Sequence, residues 1–457
     1  MNISARACAR PSLPGRVATL LAPLATIWLA GCAQSPTTPP EAAPVVAACP
    51  EGTPAGARCL RGQDSAGAHY LIVVPSQWNQ MLVVHAHGGP TLGEPKARRA
   101  DEDIKRWAIT VRAGYAWAGS VFRQGGVAVR TAAEDTERVR RIFVEHVARP
   151  RLTLLHGQSW GAGVAAKTAE MVSAPGMRSP YAGVLLSSGV LAGGTRSYDF
   201  RLDLRVIYQY LCNNHPKPDE APYPLWMGLP ADSQLTRAEL AARADDCLGV
   251  RKPAAQRSPE QARKLKTIVD VIRIPEGSVL AHLNWGTWHF QDIVQNRTGG
   301  RNPFDNSQVR YSGSADDDAL NAGVLRYRAD PGAVASFGAD TDPTGRIGVP
   351  VLTVHGIHDP TAFVELESAF RDTMAAAGTD AHLVQVFSDH REHSYLSDPT
   401  YVALFDALVR WAEDGDKPTP AGIADRCRRF EPQFGQGCRI VPDYRPAPLS
   451  ARVAPRH

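Results

Sequence analysis

Short apolar runs bounded by turn residues alternate along this chain with longer stretches whose apolar positions recur at helical spacing. Residues 69–75 and 81–86 read as two strands joined through Ser76-Gln77-Trp78-Asn79-Gln80, a predicted hairpin. Residues 115–122 predict the next strand. Residues 132–147 predict an amphipathic helix, with Val139, Ile142, Phe143 and Val147 on one face. Residues 152–155 and 183–186 are continuously apolar, the pattern of strands buried on both faces. Strand, helix and strand in this order imply right-handed crossovers in a mostly parallel sheet.

The alternation stops between about Gly193 and Arg346. That stretch is rich in Arg, Asp and Pro, with helical pieces at 236–248 and 259–272 and no strand series. Strand patterning returns at 349–354 and 383–387. A last helix is signalled by Asp398 as N-cap, Pro399 at its first position and Gly415 past its end. These patterns divide the chain into a core at 49–192 and 347–415, a helical cap insertion at 193–346 and a C-terminal extension at 416–457.

The first residues follow a different logic. Arg6, Arg10 and Arg16 precede an apolar run at 17–30, and no acid occurs before Glu41. This predicts a signal peptide over 1–31. The run ends Leu29-Ala30-Gly31-Cys32, which resembles the lipobox of bacterial lipoproteins. The resemblance implies lipidation of Cys32, and Ala33 after it suggests the outer membrane. Residues 32–48 then read as a flexible tether. Loss of 1–31 would remove three arginines and no acids, lowering the net charge from +4 to +1. That balance supplies no basic field for nucleic acid.

Cys49, Cys59, Cys212, Cys247, Cys427 and Cys438 would remain, an even number that suits an oxidising compartment. Six cysteines allow fifteen pairings; proximity in sequence favours Cys49–Cys59, Cys212–Cys247 and Cys427–Cys438. Their spacing is not that of a zinc site. His85 and His87 lack an evident carboxylate partner, and Asp316-Asp317-Asp318 lacks the alternation of a calcium loop and reads as a helix N-terminus. No metal or cofactor is expected.

The chemistry concentrates at residues 157–161, Gly-Gln-Ser-Trp-Gly, between an apolar strand and an alanine-rich helix. A serine on such a turn is held out at the edge of the sheet in a strained conformation. A serine there could also simply cap the helix. A serine nucleophile needs a base in contact and a group that orients the base. Asp359 follows the strand that ends near His355; His393 and His390 follow the strand that ends at Phe387. Asp389 and Glu365 are substitute acids. His87-Gly88-Gly89-Pro90 ends another strand, where backbone N–H groups can approach a substrate carbonyl. Trp285 and Trp288, in the cap, either line an aromatic substrate pocket or form the core that holds the cap to the sheet.

These residues resemble the α/β-hydrolase superfamily, and within it the secreted tannase-like and feruloyl-esterase-like serine hydrolases. The likeness covers roughly 70–415. It rests on 87–90, 157–161, 354–360 and His393-Ser394. It implies an α/β fold with a mostly parallel sheet flanked by helices and a large, mainly helical cap. It further implies Ser159 as nucleophile, His393 as base, Asp359 as orienting acid, and Gly88, Gly89 and Trp160 as oxyanion donors. Many relatives carry Gly before the catalytic His, whereas this chain has Glu392, which keeps His390 as a second candidate. The expected function is ester hydrolysis on a small-molecule substrate. A prolyl-type peptidase and a non-catalytic envelope lipoprotein are the alternatives.

Overall fold

A computed structural model of the chain describes residues 40–173 and 178–456. The signal segment and Cys32 lie outside these residues. The described strands are β1 (Val45–Ala47), β2 (Arg58–Gln63), β3 (His69–Val74), β4 (Met81–Ala86), β5 (Ala116–Ser120), β6 (Leu152–Gln158), β7 (Gly183–Ser187), β8 (Val351–Gly356) and β9 (Leu383–Ser388). They form one sheet in the order β1-β2-β3-β5-β4-β6-β7-β8-β9. Pairs from β1 to β5 are antiparallel, and those from β5 to β9 are parallel.

Every residue of β4 and of β8 is buried. Both of their faces are covered, so most of their positions are apolar. Helices α1 (Arg99–Arg112), α2 (Val129–His146) and α3 (Trp160–Met171) connect the central strands. The cap follows β7 as α4 (Gly194–Ser197), α5 (Phe200–Cys212), α6 (Arg237–Leu248), α7 (Pro259–Ile272), α8 (Val279–Asp292), α9 (Asp317–Gly323) and α10 (Pro331–Thr341). The chain then returns through α11 (Leu366–Ala376), α12 (Asp398–Asp414) and α13 (Pro420–Phe434). On one face α2, α3 and α11 pack on the sheet; on the other α1, α12 and α13 do. The cap has its own core, including Leu204, Ile207, Leu265, Leu283 and Phe290. This is the fold class expected from the sequence.

Three local expectations change. The strands at 69–75 and 81–86 are not a hairpin: β3 pairs with β5, which lies between β3 and β4. Strands two places apart are about 10 Å from each other, a gap that five residues cross easily. The described end of the expected tether is not free chain, since Val45–Ala47 pairs with β2 and Glu41 accepts hydrogen bonds from the Ser65 N–H and hydroxyl, both at 2.8 Å. Apolar Val45-Val46-Ala47 finds an open sheet edge, which composition does not reveal. The N-cap of α12 is Ser397; the Asp398 carboxylate instead pairs with Arg112 and accepts from the Tyr395 hydroxyl.

Disulfides join Cys49 to Cys59, Cys212 to Cys247 and Cys427 to Cys438. No helix among the described residues is long and apolar enough to cross a membrane.

Candidate active site

Ser159 sits where β6 turns into α3, with φ 57° and ψ −124°. A left-handed φ at a non-glycine residue is strained. The flanking glycines permit it. A Cβ on Gly157 would lie 2.2 Å from the Gly161 carbonyl, and one on Gly161 would lie 2.2 Å from that of Ala86. The Ser159 side chain makes no capping hydrogen bond to the helix, so the capping role is not used. Its Oγ lies 2.8 Å from His393 Nε2.

His393 comes from the loop between β9 and α12. Its Nδ1 is 2.7 Å from Asp359 Oδ2. Asp359 follows β8, with its side chain fully buried. Its other oxygen accepts from the N–H groups of Thr361 at 2.8 Å and Ala362 at 3.0 Å. Hydroxyl, imidazole and carboxylate, each from a loop at the carboxyl edge of the parallel strands, therefore form one hydrogen-bonded line. The other candidates are engaged elsewhere. His390 Nδ1 lies 2.6 Å from the Ser388 hydroxyl. Asp389 pairs with His358 at 3.1 Å, and Glu365 with Arg452 at 3.0 Å.

The loop that carries His393 is pinned on several sides. The Tyr401 hydroxyl donates to the Ser394 carbonyl at 2.6 Å, and the Gln158 amide donates to the Ser394 hydroxyl. The Asp389 N–H donates to Arg439 O at 2.8 Å, which brings the stapled C-terminal extension against the loop. Gln158 also reaches the glycine loop, where a Cβ on Gly88 would meet its side chain at 2.5 Å. Gly89 has φ +73°. Gly88 thus adjoins Gln158, the residue before Ser159, and Trp160 at the N-terminus of α3 follows that serine. A cavity of about 280 Å³ opens beside them, lined by His87, Phe122, Trp160 and Gly126 among others.

A second histidine lies behind Asp359. His355 is sealed from solvent, with Nε2 3.6 Å from Asp359 Oδ2 and Nδ1 3.1 Å from Glu367 Oε1. Glu367 also accepts from Thr353 Oγ1 at 2.6 Å and from Gln385 Nε2 at 2.8 Å. His355 Nε2 donates to the Ala362 carbonyl at 3.0 Å. Burial opposes a charge on His355, but the carboxylates of Asp359 and Glu367 beside it outweigh that and push the imidazole up to about 10. Burial alone would raise Asp359; the imidazoles of His355 and His393 beside it instead hold it well below the usual carboxylate range.

The cap grips this site through α8. His282 Nε2 is 3.0 Å from the Pro360 carbonyl, beside Asp359, and His289 Nε2 is 3.1 Å from the Pro90 carbonyl, beside Gly89. Burial pushes His282 down to about 3 and His289 down to about 4, so both are neutral donors near pH 7. Trp285 lies between them on the helix and stacks on His289 with ring centroids 4.7 Å apart. Trp288 is turned to Arg237, whose guanidinium carbon lies 4.9 Å from its ring centroid. Neither tryptophan lines the cavity beside Trp160. His85 stays in the core, 3.0 Å from His156, while His87 stacks on Phe122. Among the described residues no cluster of His, Cys, Asp and Glu is placed to hold a metal ion.

Gln158, His282, His289, His355 and Glu367 were not singled out by sequence. One signal was available: Thr353 and His355 place polar side chains two apart inside the otherwise apolar β8.

No family profile matches the chain, and no curated protein matches it. Solved structures similar to it include an esterase from Aspergillus oryzae, 13% identical over 79% of this chain and 81% of that one, with a TM-score of 0.41. Feruloyl esterase B from Aspergillus oryzae is also 13% identical, over 83% and 87%, at 0.41. An esterase of the bacterial hormone-sensitive lipase family is 14% identical, over 84% and 86%, at 0.37.

Proposed function

We propose that this protein is a serine hydrolase that cleaves carboxylic esters through an acyl-enzyme. The observation that carries the proposal is the pair of hydrogen bonds that links the strained Ser159 to His393 and His393 to Asp359, at 2.8 and 2.7 Å. His393 removes the Ser159 proton as Oγ attacks the ester carbonyl, and returns it to the leaving alcohol. Asp359, held ionised by its buried hydrogen bonds, fixes the imidazole tautomer and stabilises the imidazolium that forms. The N–H of Trp160 and those of Gly88 or Gly89 receive the developing oxyanion, each donor contributing roughly 3–4 kcal/mol. Water then releases the acid by the same base. The ester class comes from the sequence resemblance.

We further propose, on residues 6–32 alone, that the mature chain begins at a lipidated Cys32 and is held at the bacterial outer membrane. The three disulfides accord with that oxidising side.

The test is hydrolysis of p-nitrophenyl esters by the full chain carrying Cys32→Ser, in stopped flow. A burst of nitrophenolate equal to the enzyme concentration is expected, abolished by Ser159→Ala. A folded protein inert to activated esters of every acyl length contradicts the reading.

A further inference from the structure

Two arginines stand one turn apart on α5, and both are buried: Arg205 is 1% exposed and Arg201 5%. Arg205 is the better provided for, although its Nε, like that of Arg201, is buried without a partner among the described residues. Its Nη1 donates to the carbonyls of Leu225 at 2.6 Å, Gly228 at 2.8 Å and Gly286 at 3.2 Å. The one hydrogen bond of Arg201 among the described residues runs from Nη1 to the Ser197 carbonyl at 3.4 Å. No described carboxylate forms an ion pair with it. It is surrounded instead by aromatic faces, with the guanidinium carbon 4.3 Å from the Trp285 ring centroid, 4.4 Å from Phe200 and 5.5 Å from Tyr198.

An unpaired cation removed from water is costly, and aromatic faces offset only part of that cost. Burial pulls Arg201 down to about 9, with no carboxylate to counter it. Trp285, which Arg201 covers, sits on α8 midway between His282, bonded beside Asp359, and His289, bonded beside Gly89. The charge of Arg201 is felt by both histidines.

Resting on the esterase reading, we propose that Arg201 receives a carboxylate carried by the substrate, so that the preferred ester has a free acid group besides the bond that is cleaved. The bound carboxylate supplies the missing counter-charge, and a guanidinium held in place by three rings offers it two parallel N–H donors. A neutral ester leaves the guanidinium unpaired.

The experiment compares two p-nitrophenyl esters of one chain length, the adipate monoester and the hexanoate, on the full chain. The quantity read is the ratio of their kcat/KM values, which a general folding defect does not move. The ratio is expected to favour the adipate, to fall roughly ten- to hundredfold in Arg201→Gln, and to recover in part in Arg201→Lys. A ratio that Arg201→Gln leaves unchanged overturns the proposal. A second arm needs no turnover: calorimetric binding of benzoate against benzamide to the Ser159→Ala chain. Benzoate binding that Arg201→Gln removes supports the anion site even if no ester is hydrolysed, in which case the esterase reading alone fails. Equal benzoate binding with and without Arg201 sinks the anion site and leaves hydrolysis untouched.

Discussion

Two imidazole–carboxylate pairs share one carboxylate at the end of β8, and they do opposite things. At the rim His393 meets Asp359 at 2.7 Å, with a fifth of its side chain open (21%) and the Ser159 hydroxyl on its other nitrogen. Inside, His355 lies between Asp359 and Glu367 with no exposure at all. The inner imidazole is a fixed cation: two acids hold its proton up to about 10, and no hydroxyl bonds to it. The outer one faces a single acid and the Ser159 hydroxyl. In the proposed mechanism the same residue types thus yield a base or a counter-ion according to access and to the number of acids that face them.

Substitutions at the outer pair should have the largest effects. Ser159→Ala should lower kcat roughly a millionfold if the three side chains act as one unit. His393→Ala should cost about as much, and the double variant little more; independent, additive losses would show that the residues do not act together. Asp359→Asn should lower kcat about ten-thousandfold by favouring the wrong tautomer of His393. His390→Ala, by contrast, should retain the serine chemistry.

Substitution of the inner pair should show in stability first. His355→Gln leaves the buried carboxylates of Asp359 and Glu367 without the cation between them, at a cost of about 3–5 kcal/mol. Adding Glu367→Gln removes the surplus charge and should restore most of that loss in urea melts. If the double variant is no more stable than the single, the charge balance is not what matters. The pH dependence has a definite sign. The folded chain holds the His355 proton up to about 10, against an ordinary 6.5, so this contribution is complete below 6.5 and is lost as pH rises towards 10. Asp359 works the other way: its contribution is present above the ordinary 3.8 and is lost as pH falls further. The double variant should therefore flatten the alkaline slope of stability against pH.

The smallest effect sharpens the contact between cap and rim. His289→Phe keeps a ring to stack on Trp285 and loses the hydrogen bond to the Pro90 carbonyl. One neutral hydrogen bond corresponds to roughly a two- to tenfold fall in kcat with KM little changed. A rise in KM alone would instead make α8 a wall of the binding pocket.

Local chemistry was the legible part of this chain. The buried strands, the glycines about Ser159 and the helices α6 and α7 are written in short windows, and their spacing states what the backbone must do there. Pairing across the sheet was not legible. The linker at 75–80 has the length of a hairpin, and only the insertion of β5 shows that it is not one. The inner charge pair was hidden for the same reason, because His355 and Glu367 lie on a strand and on the helix after it, and their burial is a tertiary fact. In α8 the 3.6-residue period puts His282, Trp285 and His289 on one face, but cannot say that this face meets two loops of another part of the chain.

In the proposed mechanism Ser159 takes its activation from His393, which Asp359 orients. The most direct test is labelling of the folded chain with a fluorophosphonate at neutral pH, with the adduct mapped by mass spectrometry. One phosphonylated residue is expected, Ser159, with labelling slowed by several orders of magnitude in His393→Ala. An adduct on another serine, or labelling of Ser159 that proceeds at the same rate without His393, would contradict that mechanism.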